Sequence, residues 1–238
     1  MRLDLKHAQR RYFESLAQQL LPESRWLDLG CGHQIVPAWA APETEQRALV
    51  ARSGVFVGAD LDPAIAEHPH LRYRVFARGE ALPFSSNSFD LVTANMVVEH
   101  LEEPGLIFAE IKRVLAPGGK VMFHTPNLRN PYVYTASHTS DLIKKPLIRL
   151  LEKREEKDVF PTHYQANTVR AVRGLGDRVG MKIVDITVGG SVGSLNELGP
   201  LGVLELPFLK MLSLKPFQDL NATIIAVLEK SSAAASHR

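Results

Sequence analysis

Trp26-Leu27-Asp28-Leu29-Gly30-Cys31-Gly32 is the stretch on which the reading of this chain turns. An apolar run enters an acidic residue and then two glycines one position apart. Glycine has no side chain, so a ligand can approach the backbone of such a turn closely. Further on, Val55-Phe56-Val57-Gly58-Ala59 forms a second apolar run that ends in Asp60. A carboxylate ending the neighbouring strand can accept hydrogen bonds from a ribose. The two segments together predict a nucleoside-cofactor site at the carboxyl edge of a parallel sheet.

The flanking sequence extends this pattern. Helical spacing from about Lys6 to Leu21 places Tyr12, Phe13, Leu16 and Leu20 on one side, and Pro22 stops it. A long helical stretch from Ala38 to Arg52, interrupted at Pro37 and Pro42, is expected between the first two strands. Asp62-Pro63 reads as a helix start, with Asp as the cap. Leu71 to Phe76, Phe89 to Ala94 and Lys120 to Thr125 read as strands three to five. Between the last two, Pro104 to Leu115 is an amphipathic helix with Leu106, Ile107, Ile111, Val114 and Leu115 on its apolar side, ended by a turn at Pro117-Gly118-Gly119. Strands alternating with helices imply parallel βαβ units.

The second half has a different texture. Asp141 to Lys157 reads as a charged helix, and Asn167 to Val179 as another, stopped by Gly180. Met181 to Val188 and Ala222 to Leu228 read as strands, expected to be antiparallel neighbours at one edge of the sheet. Between them, residues 189–220 hold a dense apolar series that includes Leu201, Leu204, Leu206, Phe208, Leu209 and Leu212. That series reads as a cover over the sheet, a homodimer contact, or a surface for a lipidic acceptor or a membrane. Residues 1–238 are expected to form one domain, with 24–127 as the cofactor-binding core and 128–180 and 189–220 as lid or insertion segments facing the acceptor.

Composition narrows the classes. With 238 residues and 45% hydrophobic content, the chain supports a full globular core. A formal charge of +2 and no outstanding Lys/Arg cluster give no reason to expect nucleic acid as a partner. Cys31 is the sole cysteine, which suits a reducing compartment. The N-terminus lacks a signal-peptide core, and no apolar run is long enough to span a bilayer. The expected location is cytoplasmic, with membrane association open through 189–220. His68 and His70 flank Pro69 and read as a surface loop; no metal site is expected.

Four ordered segments then give the chain a family resemblance. Leu27-Asp28-Leu29-Gly30-Cys31-Gly32 and Gly58-Ala59-Asp60-Leu61-Asp62 are the first two. Leu82-Pro83-Phe84 with Asn87-Ser88-Phe89-Asp90-Leu91-Val92 is the third and most specific. Glu99-His100-Leu101 with Arg113-Val114-Leu115-Ala116-Pro117-Gly118-Gly119 completes the set. In this order the chain resembles the class I S-adenosylmethionine-dependent methyltransferases, above all the small-molecule branch with the ubiquinone and menaquinone biosynthesis methyltransferases. The resemblance implies an α/β fold: a Rossmann-like, seven-stranded, mostly parallel sheet with an antiparallel last strand and helices on both faces.

It also implies residue roles. Asp28 would lie near the methionine end of S-adenosylmethionine, offsetting its positive charge. Gly30, Cys31 and Gly32 would form the turn that passes the cofactor. Asp60 would take both ribose hydroxyls, and Leu61 would lie against the adenine face. Gly79 and Glu80 would meet the adenine edge, and Asn95 would end strand four under the methyl-transfer centre. Two positions depart from the family pattern: His33-Gln34-Ile35 replaces an expected small residue, which brings His33 toward the cofactor's carboxylate, and Arg78 stands where an acidic residue is usual. Arg78 has no acceptor to offer the adenine amino group.

The product would be S-adenosylhomocysteine, and the acceptor a small or lipid-like molecule methylated at oxygen or carbon. His163, His100 and His124 are the candidate bases or acceptor-orienting groups, because imidazole titrates near neutral pH. Glu99 is expected to anchor a helix start. Three alternatives remain at this point. A nicotinamide-dependent dehydrogenase would want glycine at Ile35. A nucleobase methyltransferase would want an Asn-Pro-Pro-Tyr-like run where Asn95-Met96-Val97-Val98 stands. A non-catalytic partner subunit that binds the cofactor fits the same residues.

Overall fold

The computed structural model describes residues 7–138, 161–189, 211–212 and 214–232. Seven strands form one sheet: β1 Arg25–Leu29, β2 Val55–Asp60, β3 Tyr73–Phe76, β4 Phe89–Asn95, β5 Leu115–Pro126, β6 Lys182–Gly189 and β7 Thr223–Glu229. Their spatial order is β3-β2-β1-β4-β5-β7-β6. Pairs among the first five are parallel, while β7 runs antiparallel to both β5 and β6. From β1 the chain winds outward through β2 to β3, then returns to β4 and winds the other way. The strand order therefore reverses between β1 and β4, which is where ligands bind in open α/β sheets.

Side chains alternate across a strand, so each strand feeds two cores. On one face Trp26, Phe56 and Met122 pack with Tyr12, Phe13 and Leu16 of α1 (Ala8–Gln19) and Leu49 of α2 (Glu43–Val50). On the other, Leu27, Val92, Val121 and Phe123 pack with Ile107, Phe108 and Ile111 of α3 (Pro104–Val114). Val172 and Leu175 join that face from Val169–Val179. A short α4 (Pro131–His138) follows β5, which makes Val169–Val179 α5. Helices thus cover both faces of a mostly parallel sheet with an antiparallel β7.

Local chemistry sets the element ends. The Thr168 hydroxyl accepts from Ala171 N–H at 3.1 Å and opens α5, and Gly180 closes it at φ +65. Asp62 accepts from Ala64 N–H as expected, but the helix it starts is a short 3₁₀ turn, Pro63–Glu67.

Four expectations change. The long helix over 38–52 shrinks to α2. The buried Gln46 amide donates to Val36 O and Ala41 O, which ties residues 36–41 into a packed loop instead of a helix. Leu106 points outward at 56% exposure, because Ile107 and Ile111 already fill the seam toward the sheet. Pro117-Gly118-Gly119 lies within β5: Leu115 already pairs with Phe89, and the ladder resumes at Leu91 and Lys120 around a bulge with Gly118 at φ +77. His68 is fully buried and lies edge-on to Phe56, so it is a packed residue and not part of a surface loop.

The helix expected over 141–157 and most of the apolar series in 189–220 lie outside the described residues. Of that series, Leu212 is buried and Leu214 is exposed. Among the described residues, no helix is long and apolar enough to cross a membrane.

Candidate functional site

Asp28, Gly30, Cys31, Gly32, Asp60 and Asn95 all gather at the carboxyl ends of β1, β2 and β4. The turn after β1 is held from two sides. Gly30 N–H donates to Ala59 O at 2.8 Å, and Gly32 N–H to Asp60 Oδ2 at 2.7 Å. Asp60 Oδ1 accepts from Asp62 N–H at 2.8 Å. Each carboxylate oxygen thus keeps a further lone pair for another donor.

The two glycines serve different ends. Gly30 sits at φ +64, and a Cβ there would meet Val97 Cγ2 at 2.5 Å. Gly32 sits at φ +50 with nothing within 4 Å of its Cβ position. The first allows close packing of chain on chain; the second leaves bare backbone facing open space.

Asp28 is 3% exposed and accepts from Thr93 Oγ1 at 2.5 Å. The same Thr93 oxygen accepts from Trp26 Nε1 at 2.7 Å. Burial raises Asp28 to about 7, partly offset by the Thr93 hydrogen bond, with the nearby Asp60 adding to the rise. Cys31 is buried with its sulfur against Gly58. Burial, then Asp28 and Asp60, push its thiol up, so it packs as a small apolar residue and is not activated as a nucleophile.

Around this turn, Leu61 is 46% exposed at the end of β2. Gly79 backs onto Ile107, and Glu80 is exposed on the loop after β3. His33 and Arg78 are exposed as well.

Asn95 is the hub of a second cluster. Its Nδ2 donates to Gln9 Oε1 at 2.9 Å and to Ile35 O at 3.1 Å. Its Oδ1 is therefore an acceptor, and His124 Nδ1–H donates to it at 2.9 Å. That assignment leaves the His124 Nε2 lone pair without a hydrogen-bond partner, in a side chain 1% exposed. The ring stacks on Tyr12 at 5.6 Å. Burial, then the charge of His7, lower His124 to about 3, so it stays neutral.

His100 and His163 belong to a third cluster. His100 Nδ1 bonds Pro161 O at 2.8 Å, and His163 N–H donates to Glu99 O at 2.7 Å. The His163 side chain itself is exposed. Glu99 does not cap α3, whose first residue follows Glu103. Its buried carboxylate accepts from Thr125 Oγ1 at 3.0 Å, and burial raises it to about 7. Asn167 Nδ2 donates to the same Thr125 oxygen at 2.6 Å.

Sequence reasoning missed Thr93, Tyr12, Gln9, Thr125 and Asn167. Thr93 carried a signal, a hydroxyl among the apolar residues Leu91, Val92 and Ala94 of β4. The other contacts depend on how α1 and the start of α5 dock, which no local pattern records.

In doubly wound sheets, ligands such as nucleoside cofactors bind at the switch point, where this chain has its glycine turn. Residues 2–186 match the family model described as a methyltransferase domain, and the chain belongs to that family. It is 34% identical over 122 residues to the malonyl-[acyl-carrier protein] O-methyltransferase of Legionella pneumophila, covering 48% of this chain and 40% of that protein. It is 31% identical over 120 residues to the ubiquinone biosynthesis O-methyltransferase of Hahella chejuensis, covering 47% and 46%. The chain thus spans less than half the length of each of these relatives. Its fold is similar to a solved S-adenosylmethionine-dependent methyltransferase from Mesorhizobium loti, with TM-score 0.57, 17% identity and coverage of 91% and 96%.

Proposed function

We propose that this chain transfers a methyl group from S-adenosylmethionine to a small or lipid-like acceptor, preferentially at oxygen. The observation that carries this reading is the Gly32–Asp60 pair. An open, positive-φ glycine donates to a carboxylate that keeps lone pairs free for a ribose. The residues present fit the cofactor: a buried acid for its cationic end, an open backbone turn, and an exposed Leu61 for its adenine. When bound, S-adenosylmethionine supplies an already activated methyl group.

The chain's own residues then bind and align. Asp28 holds the positive end, and its ionised form is favoured there. Asp60 takes the ribose hydroxyls; Gly30, Cys31 and Gly32 shape the turn, with His33 at its outer side. Gly79 and Glu80 border the adenine. Asn95 fixes the neutral, buried His124 behind the carboxyl edge of β4 and β5, so that His124 positions Asn95 and does not itself touch the acceptor. His100, bonded to Pro161 O, and His163, whose backbone N–H rests on Glu99 O, orient the acceptor from the far side, with His163 as the candidate base. Alignment and exclusion of water supply most of the rate in such a displacement.

We assign 24–127 to the cofactor and the flanking segments 128–180 and 189–220 to the acceptor, with 189–220 as its apolar cover. A liposome flotation assay with no binding, with or without acceptor, would remove a membrane role for that segment. The expected location is the cytoplasm. The acyl-carrier and ubiquinone relatives favour an O-methyl acceptor over the partner-subunit alternative.

Two measurements test the reading. Calorimetry with S-adenosylhomocysteine should show binding to the wild type that is lost in Asp60→Ala; equal binding refutes the ribose assignment. Labelled cofactor incubated with extracts of the source organism should yield a labelled small molecule. No labelled product in any fraction favours the partner-subunit reading.

A further inference from the structure

An open cleft of about 520 Å³ lies on the outer face of α5. It shares no residue with the Asp28–Asp60 turn. Arg170, Arg173, Gly174 and Asp177 line it from α5, at spacings that put them on one side of the helix. Arg129 joins from the loop after β5, and Asp219 from the 3₁₀ turn Lys215–Leu220.

Three arginines therefore line one open concavity, beside Asp177 and Asp219. Arg170 and Arg173 have no hydrogen-bond or ion-pair partner among the described residues. Arg129 faces Asp219 at 3.5 Å, with the two side chains 57% and 66% exposed. An exposed pair at that separation is weak and yields readily to a better ligand. Gly174 leaves the floor open, since nothing lies within 4 Å of its Cβ position. Arg170 is also in the first turn of α5, where the helix dipole adds positive potential.

We propose that this cleft binds one phosphate ester group. Arg170 and Arg173 each offer a planar fork of donors that matches phosphate oxygens. Arg129, released from Asp219, supplies the third. Asp177, four residues beyond Arg173, lines the far end of the cleft. Arg129 follows β5, whose carboxyl end is part of the edge that carries the candidate site. On the methyltransferase reading, the phosphate is therefore the non-reacting end of the acceptor.

The test reads phosphate binding directly, without turnover. Inorganic phosphate is titrated calorimetrically in chloride buffer. In a second arm, flotation compares phosphatidylcholine vesicles with and without phosphatidic acid. Saturable binding is expected in one arm, which names the source as a soluble ester or a lipid headgroup. The double variant Arg170→Gln/Arg173→Gln should weaken it at least about tenfold. Asp177→Asn should tighten it. S-adenosylhomocysteine binding serves as the folding control and should be the same in all three proteins. No saturable binding in either arm, or equal binding by the double variant, overturns the proposal. Phosphate binding without S-adenosylhomocysteine binding would keep the cleft and refute the cofactor reading.

Discussion

Gly32 gives its backbone N–H to the Asp60 carboxylate at 2.7 Å, so the turn after β1 is built from the end of β2. The carboxylate that fixes the turn is the one proposed to hold the ribose. Loop geometry and ligand binding therefore share a single group, and the surrounding residues can be tested for which of the two they serve.

The two turn glycines should separate these effects. In Gly30→Ala the added methyl meets Val97, and the left-handed backbone adds about 1–2 kcal/mol of strain. Denaturant unfolding should show a clear loss, partly restored by adding Val97→Ala. Gly32→Ala carries only the backbone strain, because its surroundings are open. It should lose less stability than Gly30→Ala but more affinity for S-adenosylhomocysteine in calorimetry. The reverse order would place the ligand elsewhere.

Cofactor affinity should depend on pH through Asp28. Burial holds the folded carboxyl near 7, against 3.8 when free. Between those values the folded chain keeps a proton that the unfolded chain has released, so this group works against stability as pH rises through that window. Glu99, raised from 4.5 to about 7, acts in the same direction. His68 and His124, lowered from 6.5 to about 4 and about 3, oppose them: stability falls as pH drops below 6.5. A cationic ligand beside Asp28 favours the carboxylate. Affinity for S-adenosylmethionine should therefore fall below about pH 7, by at most about tenfold per unit. Asp28→Asn should flatten that profile, and its melting temperature relative to wild type should climb as pH rises from acid to neutral. A flat wild-type binding profile would refute the assignment.

His124→Phe keeps a ring against Tyr12 but removes the donor to Asn95 Oδ1. A buried acceptor left unpaired costs about 1–3 kcal/mol, which urea unfolding will read. Because the imidazole is neutral down to about 3, the variant should lower the methyl-transfer rate without removing a limb of its pH profile near neutrality. Loss of such a limb would make His124 the base.

Asn167→Ala cuts the amide that donates to Thr125 Oγ1 and Pro126 O. The expected loss is again about 1–3 kcal/mol. Thr125 also donates to Glu99, so its orientation should loosen and hydrogen exchange should quicken at His163 and Tyr164, whose amides rest on the Glu99 carbonyl. Unchanged exchange there would disconnect the two ends of this polar chain.

The first half of the fold was legible because its signals are local. Apolar strands ending in Asp28 and Asp60 announce themselves, as do Pro104 at a helix start and Gly180 at a helix end. The 38–52 segment misled because its apolar residues are spaced for a helix, while the Gln46 amide captures two carbonyls and holds a loop. His68 misled because a His-Pro-His run looks solvated, yet Pro69 turns one imidazole inward onto Phe56. At the candidate site, the glycines and acids were readable, but Gln9 with Asn95 and Asn167 with Thr125 were not. Those partners are brought together by docking across the sheet, at separations that no periodicity spans.

β7 is the most deeply enclosed strand of the antiparallel half, buried from Thr223 to Leu228 between β5 and β6. It is also the last of the seven described strands in chain order. During synthesis, then, β5 keeps an open edge and β6 has no partner until residues 223–229 have emerged. Until then the ribosome carries a half-built sheet with an unpaired strand of the kind that invites pairing with another chain. Assembly of this sheet is set by timing as much as by packing: the half that carries Asp28 and Asp60 can settle early, while the half that carries Arg129 and α5 must wait for residues 223–229.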